Sequence, residues 1–326
     1  MRKRTFFALA IAAAVGATAV SAIYVNKVEH QSLRSKVWAG LIQASGTQKR
    51  FSSEQSMEAS LRDVEDSRDY RLPRKDYKSK VELERYEGIP VYTFNARPDR
   101  GQKTVLYLHG GAWVYQPTSF HWTFIDKLAQ ATDAKVIVPI YPKAPNHTYA
   151  ETFDLLHGLY RSALEHVEDS ARVTVMGDSA GGNISLLLGQ RLVDWNLPQP
   201  GRFIVFSPTL DLSFTNPAIA DYARRDPMLA VPGARYAASL WAGGEPLDSP
   251  LLSPLYGDFA SMAPVTMFVG TYEGGYPDSA KWDAALTEQG IEHRFYAYPK
   301  MIHVFPLYPI PEAEQAFAQI VEAMNG

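Results

Sequence analysis

Residues 173–182, VTVMGDSAGG, constrain this chain more than any other stretch: a β-branched run, a turn bracketed by glycines and the start of a helix. Gly177-Asp178-Ser179-Ala180-Gly181 fits G-x-S-x-G, in which the serine sits on a strained turn between strand and helix. Glycine two residues to either side leaves room for a close crossing of strand and helix. Ser179 is therefore the candidate nucleophile. So short a pattern also arises by chance, and its surroundings must decide. Residues 172–176 have strand composition, and residues 183–192 continue as an apolar helix, as the pattern demands.

The 326 residues are 46% hydrophobic and carry a net charge of −3, enough apolar material for a full core and too little positive charge for a nucleic-acid partner. Cysteine is absent, which excludes disulfides, thiolate metal sites and a cysteine nucleophile. No internal repeat or Pro/Gly/Ser linker divides the middle of the chain.

The chain opens with Arg2-Lys3-Arg4, and residues 6–25 then hold no charge. This reads as a targeting segment outside the fold. About 20 uncharged residues can span a bilayer, while Val20-Ser21-Ala22 offers a small-residue cleavage site. A retained membrane anchor and a cut after Ala22 both remain open. With the basic flank inside, either places the rest outside the cytoplasm.

Residues 26–80 read as a helical lead-in, and residues 81–326 as the main domain. Alternating patterns on either side of Gly88 predict an antiparallel pair at a sheet edge. Strands are expected at 104–108, 135–140, 172–176, 202–206, 265–269 and 294–298, largely unbroken apolar runs as in a parallel sheet covered on both faces. Helices are expected between them at 119–132 with Ser119 as cap, 149–167, 180–195, 278–289 and 312–325. This alternation implies an α/β fold with loops gathered at the carboxyl ends of the strands. Residues 213–263, rich in Pro, Asp and Gly with a helical piece near 233–241, form an insertion over those ends.

A serine nucleophile needs a base and an orienting acid. Of eight histidines, His303 follows the last strand and returns to the end of the sheet that carries Ser179. His293 lies at the opposite end of that strand, His30 precedes the fold, and His121, His147, His157 and His166 fall on or near helices in packed or solvated roles. Glu273 follows strand 265–269 closely enough to reach an imidazole. Asp278 more naturally caps the next helix, and Asp211 is the remaining alternative. Stabilising an oxyanion also requires aimed N–H donors. His109-Gly110-Gly111-Ala112-Trp113 follows strand 104–108 and offers the amides of Gly110, Gly111 and Ala112, with Ala180 beside the nucleophile.

With these residues, the chain resembles the hormone-sensitive-lipase-type branch of the α/β-hydrolase superfamily, bacterial carboxylesterases with HGG and GDSAGG blocks. The resemblance spans about residues 80–325, through HGGAW, GDSAGGN, Ser207-Pro208-x-x-Asp211, Asp226-Pro-Met-Leu229, Ser253-Pro-Leu-Tyr-Gly257 and IHVF at 302–305. It implies an eight-stranded sheet, a cap from the N-terminal helices and the insertion, and hydrolysis of a small-molecule ester through Ser179, His303 and the acid at 273. The family more often has Asp at that position and a third glycine where Ala112 stands, which bears on substrate preference. An amidase or aryl-formamidase-like activity uses the same groups, and a non-catalytic ligand receptor on this fold is the other alternative. No cofactor or metal is expected: residues 177–182 lack a phosphate-loop lysine, and the histidines lack ligand spacing. Tyr115, Phe120, Trp122, Phe214, Trp241 and Phe305 are candidates to line an apolar pocket that takes short acyl groups.

Overall fold

A computed structural model of the protein describes residues 30–62 and 64–325. The targeting segment expected over residues 1–25, with the cut after Ala22, lies outside them. Among the described residues no helix is long and apolar enough to cross a membrane.

Eight strands form one sheet: β1 (Val81–Tyr86), β2 (Ile89–Phe94), β3 (Thr104–Leu108), β4 (Lys135–Pro139), β5 (Val173–Asp178), β6 (Arg202–Phe206), β7 (Val265–Gly270) and β8 (His293–Tyr298). Their order is β1-β2-β4-β3-β5-β6-β7-β8. The edge pair β1–β2 and the pair β2–β4 run antiparallel, and all other neighbours run parallel. Alternate residues of β3 show why its run is apolar throughout: Val105 and Tyr107 enter the core on one face, Leu106 and Leu108 the core on the other.

The helices are α1 (Leu33–Ser45), α2 (Thr47–Arg50), α3 (Glu54–Leu61), α4 (Ser119–Thr132), α5 (Tyr149–Glu165), α6 (Ala180–Asp194), α7 (Ile219–Ala223), α8 (Val231–Ala242), α9 (Tyr276–Glu288) and α10 (Pro311–Asn325). Two expected caps are corrected. Thr118, not Ser119, caps α4, because its side chain and that of His121 bond reciprocally to backbone N–H groups. Asp278 lies in the first turn of α9, which opens at Tyr276 with Pro277 next, so Gly275 takes the cap position. Chain order steps outward from β3 to β4 and then returns past β3 to β5. The loops after β3 and β5 therefore diverge at one switch point, the usual place for a ligand in an open α/β sheet.

Candidate active site

β5 ends at Asp178 and α6 begins at Ala180, leaving Ser179 alone in the turn at φ 52°, ψ −119°. Such a conformation costs a non-glycine residue on the order of 1–3 kcal/mol and must be held by its surroundings. Here Ser179 N–H donates to Phe206 O at 2.8 Å. The flanking glycines explain the rest: a Cβ on Gly181 would meet Leu108 O at 1.9 Å, and one on Gly177 would meet Gly181 O at 2.5 Å.

Facing the turn, His303 Nε2 lies 2.9 Å from Ser179 Oγ, and His303 Nδ1 lies 2.5 Å from Glu273 Oε2. A carboxylate only accepts, so Nδ1 carries the proton and Nε2 is left as acceptor for the serine hydroxyl. Glu273 is wholly buried. Its other oxygen accepts from Gly270 N–H at 2.6 Å and from Ser207 Oγ at 2.9 Å, while Ser207 Oγ accepts from Val304 N–H at 3.0 Å. Ser207 thus ties the acid loop to the histidine loop. Burial pushes the His303 pKa down, but the hydrogen bond and charge of Glu273, with the charges of Asp226 and Asp178, outweigh it and raise it above the ordinary value of 6.5.

The other carboxylates point elsewhere. Asp278 Oδ1 accepts from Asn216 Nδ2 at 2.7 Å, and Asp211 accepts from Ser213 and from the Tyr256 hydroxyl. Asp226, whose motif was visible but whose place was not, is buried with three amides on its carboxylate: Met228, Leu229 and Gly274. The last of these joins it to the acid loop.

Gly111, Ala112 and Trp113 all have positive φ, at 128°, 52° and 60°. The left-handed conformation costs Ala112 roughly 1–2 kcal/mol that glycine would escape. Among the described residues the N–H groups of Gly111, Ala112 and Ala180 have no acceptor in the protein. Gly110 is a correction: its N–H donates to Asp178 Oδ1 at 3.0 Å and is not available to a substrate. Asp178 is also bonded by the Tyr107 hydroxyl at 2.7 Å and by His121 Nε2 at 3.1 Å. Because Thr118 N–H occupies His121 Nδ1, Nε2 carries the proton and donates. The residue before the nucleophile therefore anchors the loop after β3. Sequence reading left His121 as an ordinary helical histidine; the spacing Thr118-x-x-His121, a reciprocal cap, was the available signal.

A family model for the alpha/beta hydrolase fold matches residues 105–307. The chain belongs to that family. An esterase of Acinetobacter venetianus is 29% identical over 222 residues, 67% of this chain and 73% of that one. A crystal structure from Staphylococcus aureus, assigned as an esterase, superposes with a TM-score of 0.79 at 31% identity, over 86% of this chain and 96% of that one. An esterase of the bacterial hormone-sensitive lipase family superposes with a TM-score of 0.76 at 25% identity, over 90% and 98%. These neighbours agree with the resemblance carried by the HGG and GDSAGG blocks. The class of this hydrolase is the carboxylesterase type.

In this hydrolase Ser179 and His303 open onto a cavity of about 690 Å³. One wall comes from α1, α2 and the residue that ends α2, through Trp38, Ile42, Arg50 and Phe51, and another from the stretch after β6 through Phe214, Met228 and Leu229. Tyr115, Phe120 and Phe214 line it as expected, whereas Trp122, Trp241 and Phe305 do not. Trp122 stacks between Tyr70 and Phe94, Trp241 stacks on Trp113, and Phe305 packs on Tyr298, all within the core. Among the described residues no cluster of metal-ligating side chains is present.

Proposed function

We propose that this hydrolase cleaves carboxylic esters of short acyl chain through an acyl-enzyme on Ser179, with His303 as base and Glu273 as the acid that orients it. The observation that carries the reading is the unbroken run of hydrogen bonds Ser179–His303–Glu273 at the wall of the cavity, beside amides that have no other acceptor.

In this mechanism Ser179 Oγ attacks the ester carbonyl as its proton passes to His303 Nε2. Negative charge then gathers on the carbonyl oxygen, and the amides of Gly111, Ala112 and Ala180 supply the donors for it, each worth roughly 3–4 kcal/mol in such a site. Glu273 holds the imidazole in the tautomer that presents Nε2 and stabilises the imidazolium without taking its proton. His303 gives that proton to the leaving alkoxide, and water, activated by the same nitrogen, releases the acid. The short acyl preference rests on Ala112, whose methyl stands at the cavity wall beside the donors where glycine would leave space.

A panel of p-nitrophenyl esters from acetate to palmitate, with an acyl anilide as control, tests this. Turnover falls with chain length and the anilide is untouched if the reading is right. Preference for palmitate would overturn the chain-length assignment, and faster anilide cleavage the ester assignment.

A further inference from the structure

Seven large hydrophobic side chains are exposed among the described residues, and three of them, Leu33, Val37 and Leu41, lie on α1. Their spacing at i, i+4 and i+8 puts them on one face of the helix, a stripe about 12 Å long. They are 38%, 55% and 59% exposed.

The stripe cannot be buried by rotating the helix. Trp38, on the inward side, packs against Phe120 and Tyr308 at 5.7 and 5.8 Å between ring centroids. At the start of α1, Glu312 accepts from Ser32 N–H, from the Ser32 hydroxyl and from the Ser35 hydroxyl at 2.6, 2.9 and 2.9 Å. At its end, Gly46 closes the helix in the left-handed conformation. The outward face is therefore fixed as apolar.

Its charge has one sign. Arg34 and Lys36 are the only charged residues of α1, so the helix combines an apolar face with cationic flanks, as helices lying in the headgroup region of anionic bilayers do. The chain that enters it points the same way. Residues 6–25 hold no charge, and the seven residues 26–32 separate Val25 from Leu33. Fully extended, the eight Cα–Cα steps from Val25 to Leu33 reach at most about 28 Å, so wherever lipid holds the uncharged run, α1 stays close to the same surface. Leu41 is also part of the cavity lining, which makes the stripe continuous with the cavity rim.

We propose that the outward face of α1 rests on a phospholipid bilayer, with Leu33, Val37 and Leu41 in the interfacial region and the cavity opening beside it. An ester dissolved in the bilayer then reaches the cavity without crossing bulk water.

The absence of native cysteine makes the test clean. Val37→Cys and, separately, Glu165→Cys are labelled with a nitrobenzoxadiazole fluorophore in the full chain, reconstituted with phosphatidylcholine–phosphatidylglycerol vesicles. Glu165 is exposed at the end of α5, near where β5 begins and thus at the opposite end of the sheet from Ser179. Doxyl-labelled lipid is expected to quench residue 37 at least about threefold more than residue 165, and the same ranking holds for Leu33→Cys. Equal quenching at the two ends overturns the proposal. A label at 37 shielded from iodide yet not quenched by lipid overturns it in favour of coverage by residues 1–29. Energy transfer between labelled copies without lipid quenching overturns it in favour of a second copy.

Discussion

Ser179 is held by its own neighbours in sequence and by the strands on either side, whereas the cavity wall opposite it is assembled from segments about 180 residues apart. At the turn, close backbone contact does the work, and no Cβ fits at Gly177 or Gly181 without displacing a carbonyl. In the wall the ties are few and separate: the Gln48 side-chain amide donates to Asp226 O, the Ser60 and Tyr115 hydroxyls bond to each other, and one backbone bond runs from Gly233 N–H to Phe51 O. Packed backbone fixes an atom closely and tolerates no change, while side-chain ties tolerate loss one at a time. Chemistry placed on the first and selection on the second can vary separately.

The most direct way to break this comparison is at the turn itself. Ser179→Ala should lower kcat by a factor on the order of 10⁶, as removal of a triad serine does elsewhere, with the thermal unfolding midpoint unchanged or raised because alanine carries no reactive hydroxyl to position. Substantial residual turnover in the purified variant would place the nucleophile elsewhere.

Glu273→Gln comes next, with an expected fall in kcat on the order of 10³–10⁴ from the loss of charge and the wrong hydrogen-bonding partner for His303 Nδ1. The companion Asp278→Asn should cost less than about tenfold, since that side chain bonds Asn216 and meets only the first turn of α9. A crippling Asp278→Asn beside a nearly normal Glu273→Gln would reverse the assignment.

The contrast also explains what could be read from the chain. The strands were legible because residues covered on both faces must be apolar throughout, and the turn because its glycines are required locally. Glu273 stood out because it follows β7 directly. Gly110 was misread as a donor because its amide is consumed by Asp178, and nothing local shows which way that carboxylate turns. Trp122, Trp241 and Phe305 were candidates for the cavity because aromatic composition carries no direction. The ties from Gln48 to Asp226 and from Glu312 to Ser32 join residues too far apart in sequence for any local pattern to hold.

A smaller effect tests how far the wall reaches into the chemistry through pH. The base must be neutral, and His303 titrates above 6.5, so kcat/KM should fall on the acid side with an apparent pKa above 6.5. Stability runs the other way: a raised imidazole pKa contributes stability that is full below 6.5 and is lost as pH rises through the folded value. Asp226→Asn removes one of the charges that raise it and should move the acidic limb of the rate profile to lower pH. An unmoved limb would restrict Asp226 to holding the loop.

The smallest effect is expected from Gln48→Ala, and it probes the comparison most sharply. Gln48 sits in the short helix α2, and its amide donates to Asp226 O at 2.6 Å, with Leu229 O at 3.4 Å. The same residue, Asp226, holds the acid loop through its carboxylate and Gly274 N–H. One hydrogen bond of this kind contributes about 1 kcal/mol, and an unpaired carbonyl can recover part of that from water. Removing the amide should therefore loosen the wall while the backbone tie from Gly233 to Phe51 keeps its two halves together. The expected result is a rise in KM of a few fold, on the scale of one lost hydrogen bond, greatest for the longer esters of the panel, with kcat and the acidic limb of the pH profile unchanged. A fall in kcat, or a shifted limb, would mean that Asp226 transmits movement of the wall to Glu273 and His303. Selection and chemistry would then not be separable in this protein, and variants that widen the cavity near Asp226 would lose rate as they gain substrates.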